Sequence, residues 1–382
     1  MNLDSLAFPV FSILFGAIAI WLSVRRFLSP ALERLGPIRN WLERIALAAI
    51  PLIATLIAIN SAWNAIAVRL FWARHPQPGK IYVVGGHAMH INCTGSGSPT
   101  IVLESGLGDD SLIWSQLQPE LAKTTHVCSY DRAGFGWSEA GPAPRDADHI
   151  AAELHDLLRQ ASVNGPLVLM GHSMGGIYIR DYASRYRSEI AGMVFLDPSV
   201  PLQDENPAYR ALFPKEEPLW KRRILAKALY GSGLPRLAGR CGAGLLSNDP
   251  QDMQMIQEDY CSSHIDSVLA ESQNFNRSGH ETAGTGPYGD LPILIISEDF
   301  AVAVAAARNS PKELKPALEA MDAMHENLKS LSTRSRRIIA KNSGHSVQFA
   351  RMDLVLKETQ ALIGQIRGTL PKPAQYGTTV TE

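Results

Sequence analysis

The sequence predicts an α/β fold, a mostly parallel eight-stranded sheet with helices on both faces. Three observations lead there. Short apolar runs recur at 81–84, 87–93, 100–104, 126–130, 167–170, 192–196, 292–296 and 335–340. Helix-permitting or amphipathic stretches fill the gaps, notably 147–162, 174–187 and Leu354–Ile366. Runs such as Pro292–Ile296 are apolar throughout instead of alternating, as strands buried on both faces are. Strand and helix in alternation imply parallel neighbours joined by helical crossovers.

Two apolar segments precede the sheet. Ser5–Val24 is twenty residues without a charge and Ile45–Val68 is twenty-four. Each is long enough to cross a hydrocarbon core of about 30 Å at about 1.5 Å per residue. Trp21, Trp63 and Trp72 stand near their ends, where indole rings suit a membrane interface. The second segment carries Pro51, Asn60, Ser61 and Asn64, polar groups expected to bond to the first helix or to be tolerated in a tilted span. A cleaved signal peptide fits less well, because the start holds Asp4 and no Lys or Arg.

Charge is unevenly spread. Residues 1–80 hold eight Lys/Arg against Asp4, Glu33 and Glu43, a net of +5, and the remainder nets −6. A mildly acidic body offers no nucleic-acid surface. Five arginines lie in the connector 25–44, which places it in the cytoplasm and both termini outside. Arg69 and Arg74 oppose this orientation. Residues 69–80, with Pro76 and Pro78, read as a short linker, so the anchor is 1–80 and the body follows close to the bilayer. The body is expected over 81–199 and 290–368. A helical cap is expected over 200–289, built on Lys221–Tyr230 and Asp252–Asn274. Ala301–Ser332 reads as a long helical excursion, and 369–382 as a disordered tail.

Chemistry concentrates in Leu167–Gly176, an apolar run that ends in Gly171–His172–Ser173–Met174–Gly175. In G-x-S-x-G the glycines let the chain turn sharply from strand to helix, which holds the serine hydroxyl exposed above the sheet edge. The Met174 N–H would then stand at a helix N-terminus, facing any oxyanion formed there. A serine needs a base, and His345 is the best placed of eleven histidines, in Asn342–Ser343–Gly344–His345 after a late strand. The base needs an acid. Asp299 is the first choice, at the C-terminal end of strand 292–296, where open α/β sheets gather their functional groups. Asp197, which ends strand 192–196, and Glu298 remain alternatives.

Four blocks in order, Thr100–Gly108, Tyr130–Ser138, Gly171–Gly176 and Ser343–His345, resemble the α/β-hydrolase superfamily in its branch of esterases and lipases. The resemblance runs from about residue 81 to 368. It implies a triad Ser173, Asp299 and His345, and an oxyanion hole of the Leu107 and Met174 N–H groups. Ser105–Gly106 stands where the family usually has His-Gly, which leaves backbone donation intact. The turn after the acid-bearing strand is one residue shorter than usual. Asp131–Arg132 reads as a pair that fixes its loop. Epoxide hydrolases and haloalkane dehalogenases on this fold use an aspartate at the elbow, so Ser173 favours an acyl-enzyme and an ester or other acyl substrate. Acyl transfer and a non-catalytic interaction protein are the alternatives. The fold also makes the second and fourth strands neighbours, which brings Cys93 and Cys128 together, and Cys241 and Cys261 both lie in the expected cap. The two pairs are therefore expected as disulfides in an oxidising compartment, with four reduced buried thiols as the alternative. No zinc spacing is present, and no metal or cofactor is expected.

Overall fold

A computed structural model describes residues 4–29, 37–211, 217–241, 250–261, 264–302, 311–371 and 376–382. These form two compact units. One comprises Gln77–Glu216 with Asp266–Glu382, and the other Met1–Pro76 with Glu217–Ile265. The expected cap over 200–289 is therefore not one body. Its middle packs with the N-terminal helices, and its two ends belong to the sheet-containing unit.

The larger unit is built on nine strands: β1 (Lys80–Val84), β2 (His87–Thr94), β3 (Thr100–Glu104), β4 (Val127–Tyr130), β5 (Leu167–His172), β6 (Ile190–Leu196), β7 (Ile293–Ser297), β8 (Ser335–Ile339) and β9 (Thr379–Thr381). Their order is β1-β2-β4-β3-β5-β6-β7-β8-β9. The first two pairings are antiparallel and the other six parallel. Every residue of β3, β4, β5 and β7 is buried, so each strand feeds two cores. Val102, Leu169, Phe195 and Ile295 meet the helices Ala147–Gln160 and Gly175–Arg185 on one face. Ile101, Val168, Val194 and Ile296 meet Leu117–Ala122 and Met352–Ile366 on the other. Burying a side chain of this size is worth about 1.5–3 kcal/mol, and the period of two in each strand shares that gain between the faces.

Three expectations change. The region 369–382 is not a disordered tail throughout. Thr379–Thr381 pairs in parallel with β8 as a ninth strand, because the edge of β8 otherwise leaves a row of backbone groups open and Thr–Val–Thr suits an extended pleat. The stretch Asp252–Asn274 is two helices, Gln251–Tyr260 and Ile265–Gln273. Within Ala301–Ser332, residues 303–310 lie outside the described residues, and Pro311–Asn327 is helical with a 3-10 turn at Leu328–Leu331.

The smaller unit holds two helices apolar and long enough to cross a membrane, Asp4–Phe27 and Pro37–Arg74. The second continues through the supposed linker as far as Arg74. The two run antiparallel, with Arg26 on Glu43 at one end and Gly16 facing the backbone of Ala54 further along. The helices Leu219–Gly231, Leu234–Leu237 and Gln251–Tyr260 and the disulfide Cys241–Cys261 also belong to this unit. Cys93 and Cys128 face one another across β2 and β4 and form the second disulfide.

Candidate active site

Ser173 leaves β5 with φ +52°, in the left-handed region that costs a serine of order 1–3 kcal/mol. Its backbone N–H donates to the Leu196 carbonyl at 3.1 Å, so the turn is tied to the end of β6. The neighbouring glycines are needed for close approach. A Cβ on Gly175 would come within 2.6 Å of the Glu104 carbonyl oxygen, and one on Gly171 within 2.6 Å of the Gly175 carbonyl oxygen. Helix Gly175–Arg185 starts immediately beyond, with Met174 at its N-cap position, so the Met174 N–H belongs to a helix N-terminus.

The second strained residue is Asp197, with φ +42° at the end of β6. Nδ1 of His345 donates to its Oδ2 at 2.6 Å, and its Oδ1 accepts the Glu298 N–H at 2.9 Å. Burial pushes the Asp197 carboxyl up, but the His345 hydrogen bond and the charges of His325 and His345 outweigh it and hold the group below its ordinary value. Burial pushes His345 down, yet the bond and charge of Asp197 leave its imidazole above the usual range. The His345 side chain is 54 % exposed, so one edge of the ring is braced and the other is open. His172 Nε2 donates to the His345 carbonyl at 3.1 Å, which steadies the loop.

Asp299 does not meet His345. Its Oδ2 accepts the Asn342 N–H at 3.0 Å, its Oδ1 the Ala301 N–H at 3.1 Å, and its own N–H donates to the Ser343 carbonyl. The short turn after β7 aims the Glu298 N–H at Asp197 and swings Asp299 onto backbone, so it ties two loops together. The carboxylate that His345 meets is Asp197, the sequence alternative. Glu298 is pushed up to about 7 by burial and by the Asp197 charge, which leaves Asp197 the principal anion beside His345 in acid solution.

Sequence reasoning missed what stands behind this pair. His325 is buried, with Nε2 donating to the Pro198 carbonyl at 2.8 Å and Nδ1 lying 3.1 Å from Ser297 Oγ. Arg337 Nε donates to the same Oγ at 3.0 Å, and its guanidinium pairs with Asp322. Neither residue sits in a motif, and no local signal marks them.

The loop after β3 passes against Ser173, since a Cβ on Gly106 would lie 3.2 Å from Ser173 Cβ. Arg132 fixes this loop. Its Nη1 donates to the Ser105 carbonyl at 2.8 Å and its Nη2 to the Gly106 carbonyl at 2.7 Å. A trans peptide points its N–H opposite to its carbonyl, so holding the Gly106 oxygen sets the direction of the Leu107 N–H. Arg132 also binds Glu104 and takes both oxygens of Glu271. The expected Asp131–Arg132 pair is not formed. Asp131 instead accepts from His90 Nδ1 and from the N–H groups of Ser111 and Trp137. Buried Glu104 is pushed up to about 7 by desolvation, against the pull of Arg132 and Tyr130. Ser105 uses its buried hydroxyl inside the loop, donating to the Asp110 carbonyl and accepting from Trp114 Nε1.

Cys93, His126 and Cys128 form the one cluster among the described residues with metal-ligand spacing, but the two sulfurs are joined to each other, which removes the thiolates a metal needs.

Residues 99–227 match the family described as alpha/beta hydrolase fold. The uncharacterized protein YqjL of Bacillus subtilis (strain 168) is 27% identical over 280 residues, 72% of this chain and 88% of that protein. A thermophilic esterase from Thermogutta terrifontis superposes with a TM-score of 0.54 at 20% identity, over 76% of this chain and 99% of that one. An epoxide hydrolase from Vigna radiata superposes with a TM-score of 0.57 at 18% identity, over 76% and 98%. Likeness at this identity to proteins of such different reactions speaks to the fold alone. Strand order, the strained serine elbow and the family match over residues 99–227 together show that this chain has the α/β-hydrolase fold.

Proposed function

We propose that the protein is a membrane-anchored serine hydrolase that cleaves a carboxylic ester through an acyl-enzyme. The observation that carries this reading is the braced imidazole of His345 on Asp197, on the sheet edge where Ser173 is held in a strained turn. Ser173 Oγ attacks the ester carbonyl carbon while His345 Nε2 takes the hydroxyl proton. Asp197 keeps Nδ1 protonated and stabilises the imidazolium as it forms. The N–H groups of Leu107 and Met174 receive the oxyanion. Collapse breaks the bond to the alcohol, which leaves with the proton from His345. Water then adds to the acyl-Ser173, again giving its proton to His345, and the acid departs with Ser173 restored.

The two apolar helices Asp4–Phe27 and Pro37–Arg74 anchor the chain, with the arginine-rich connector inside and the hydrolase body outside. Both disulfides support an oxidising compartment for that body. The test is fluorophosphonate labelling and p-nitrophenyl ester turnover by the full chain. Ser173→Ala should abolish labelling and cost on the order of 10⁴–10⁶ in rate. A folded wild type that labels no more than Ser173→Ala would reject the reading.

A further inference from the structure

We propose that the helix Leu219–Gly231 and the turn Leu234–Leu237 lie at the boundary between head groups and acyl chains of the same bilayer, as an interfacial segment clasped by the second spanning helix. The inference rests on the membrane anchor proposed above. Three side chains of that helix reach the end of Leu219–Gly231. Asn60 Nδ2 donates to the Ser232 carbonyl at 2.6 Å, Ser61 Oγ to that of Gly231 at 2.7 Å, and Asn64 Nδ2 to that of Tyr230 at 3.2 Å. The last carbonyls of a helix have no partner within it, and in a poorly hydrated setting each must find a donor. Asn64 also accepts from Arg236 Nε at 2.8 Å, and Arg236 is paired with the buried carboxylate of Glu258. Polar residues on an otherwise apolar span thus have a specific use, which is to fasten a second segment to it.

Depth follows from position. Asn60 to Asn64 lie four to eight residues before Val68, the end of the charge-free run, which is about 6–12 Å inside it at helical rise. That is the outer part of the hydrocarbon layer. The fastened segment is built for such a place. Trp220, Ile224, Leu225 and Leu229 repeat at helical spacing and are exposed by 65, 59, 58 and 49%, and Leu234 and Leu237 by 52 and 68%. Lys221, Arg222, Arg223 and Lys227 fill positions between them. Apolar anchors interleaved with basic residues suit acyl chains below and anionic phosphates above. The two long helices of the same unit also expose apolar side chains, among them Leu56, Ile59, Trp63 and Ile66, and the occupant proposed for both is the lipid bilayer.

The experiment uses the full chain in vesicles of phosphatidylcholine and phosphatidylglycerol, either ordinary or brominated on acyl carbons near the head group. Fluorescence of wild type minus Trp220→Phe isolates Trp220, and wild type minus Trp63→Phe isolates a residue of the span. Both variants should keep wild-type ester turnover. The proposal expects the Trp220 signal to fall by about half or more in brominated lipid and to resist aqueous iodide. Quenching of Trp63 by lipid with Trp220 quenched only by iodide overturns the proposal and leaves the anchor standing. If neither responds to brominated lipid, the anchor reading fails and this one with it.

Discussion

His345 and Asp197, 148 residues apart, meet Nδ1 to Oδ2 at 2.6 Å, and the carboxylate on this imidazole therefore comes from the end of β6 and not from β7. Asp197→Asn should lower ester turnover by roughly 10⁴ with the fold retained, because an amide no longer enforces the Nδ1–H tautomer. Asp299→Asn should change the rate far less, since its carboxylate only collects backbone N–H groups. Equal losses in the two variants, measured as kcat/KM, would return the acid to the later strand.

The pH profile should carry the same signature. His345 works as a base only when neutral, and Asp197 raises its pKa, so kcat/KM should fall with acid through an apparent pKa above the ordinary imidazole value of about 6.5. In Asp197→Asn the raising charge is gone and burial remains. The acid limb should then move to lower pH. A limb that stays in place would mean that another group sets it.

Arg132 is expected to act as a positioning residue for the oxyanion hole. Arg132→Lys keeps a charge but loses the fork that grips the Ser105 and Gly106 carbonyls together. The expected loss is about 10–10³ in kcat with little change in KM, toward the cost of losing one oxyanion donor. A rise in KM alone would place its effect on substrate binding instead.

The elbow glycines predict a fold defect of a different kind. Gly175→Ala brings a methyl group within 2.6 Å of the Glu104 carbonyl oxygen in a packed region with nowhere to move. A loss of about 2–3 kcal/mol is expected from overpacking. Thermal unfolding of the variant against wild type measures it.

Both disulfides should stabilise their units. They close separations of 35 and 20 residues, for which chain entropy gives about 3–4 kcal/mol each. Reduction should lower the melting temperature, and no thiol should react with a maleimide in the native protein. Four reactive thiols in freshly isolated protein would contradict an oxidising location.

Strands β1 to β8 were readable because each is a short apolar run next to a turn signal, and Ser173 and His345 because both lie in local motifs with a physical purpose. Contacts between distant segments were not readable. Asp197 and Asp299 each follow a buried strand, and only the shorter turn after β7 decides which faces the imidazole. Arg132 was marked by its block, but its partner Glu271 lies 139 residues away. The region 200–289 was seen as one insertion because its helices look alike in composition. Which neighbour each helix packs on is a tertiary fact that periodicity does not encode. Thr379–Thr381 was missed for a related reason: three residues carry no pattern until β8 offers them an edge.

Ser173 and Asp197 leave neighbouring strands at the same level, and the ladder between β5 and β6 joins His172 to Leu196 immediately before them. Ser173 and Asp197 are thus mounted on one rigid plank, and of the three proposed triad members only the histidine arrives on a loop. His345 is held separately, on the loop after β8 that Asp299 ties through the Asn342 N–H and the Ser343 carbonyl. A change in that loop would move the imidazole against a pair whose spacing the β5–β6 ladder fixes, so the tie between Asp299 and the loop is the joint through which distant substitutions would reach the proposed triad.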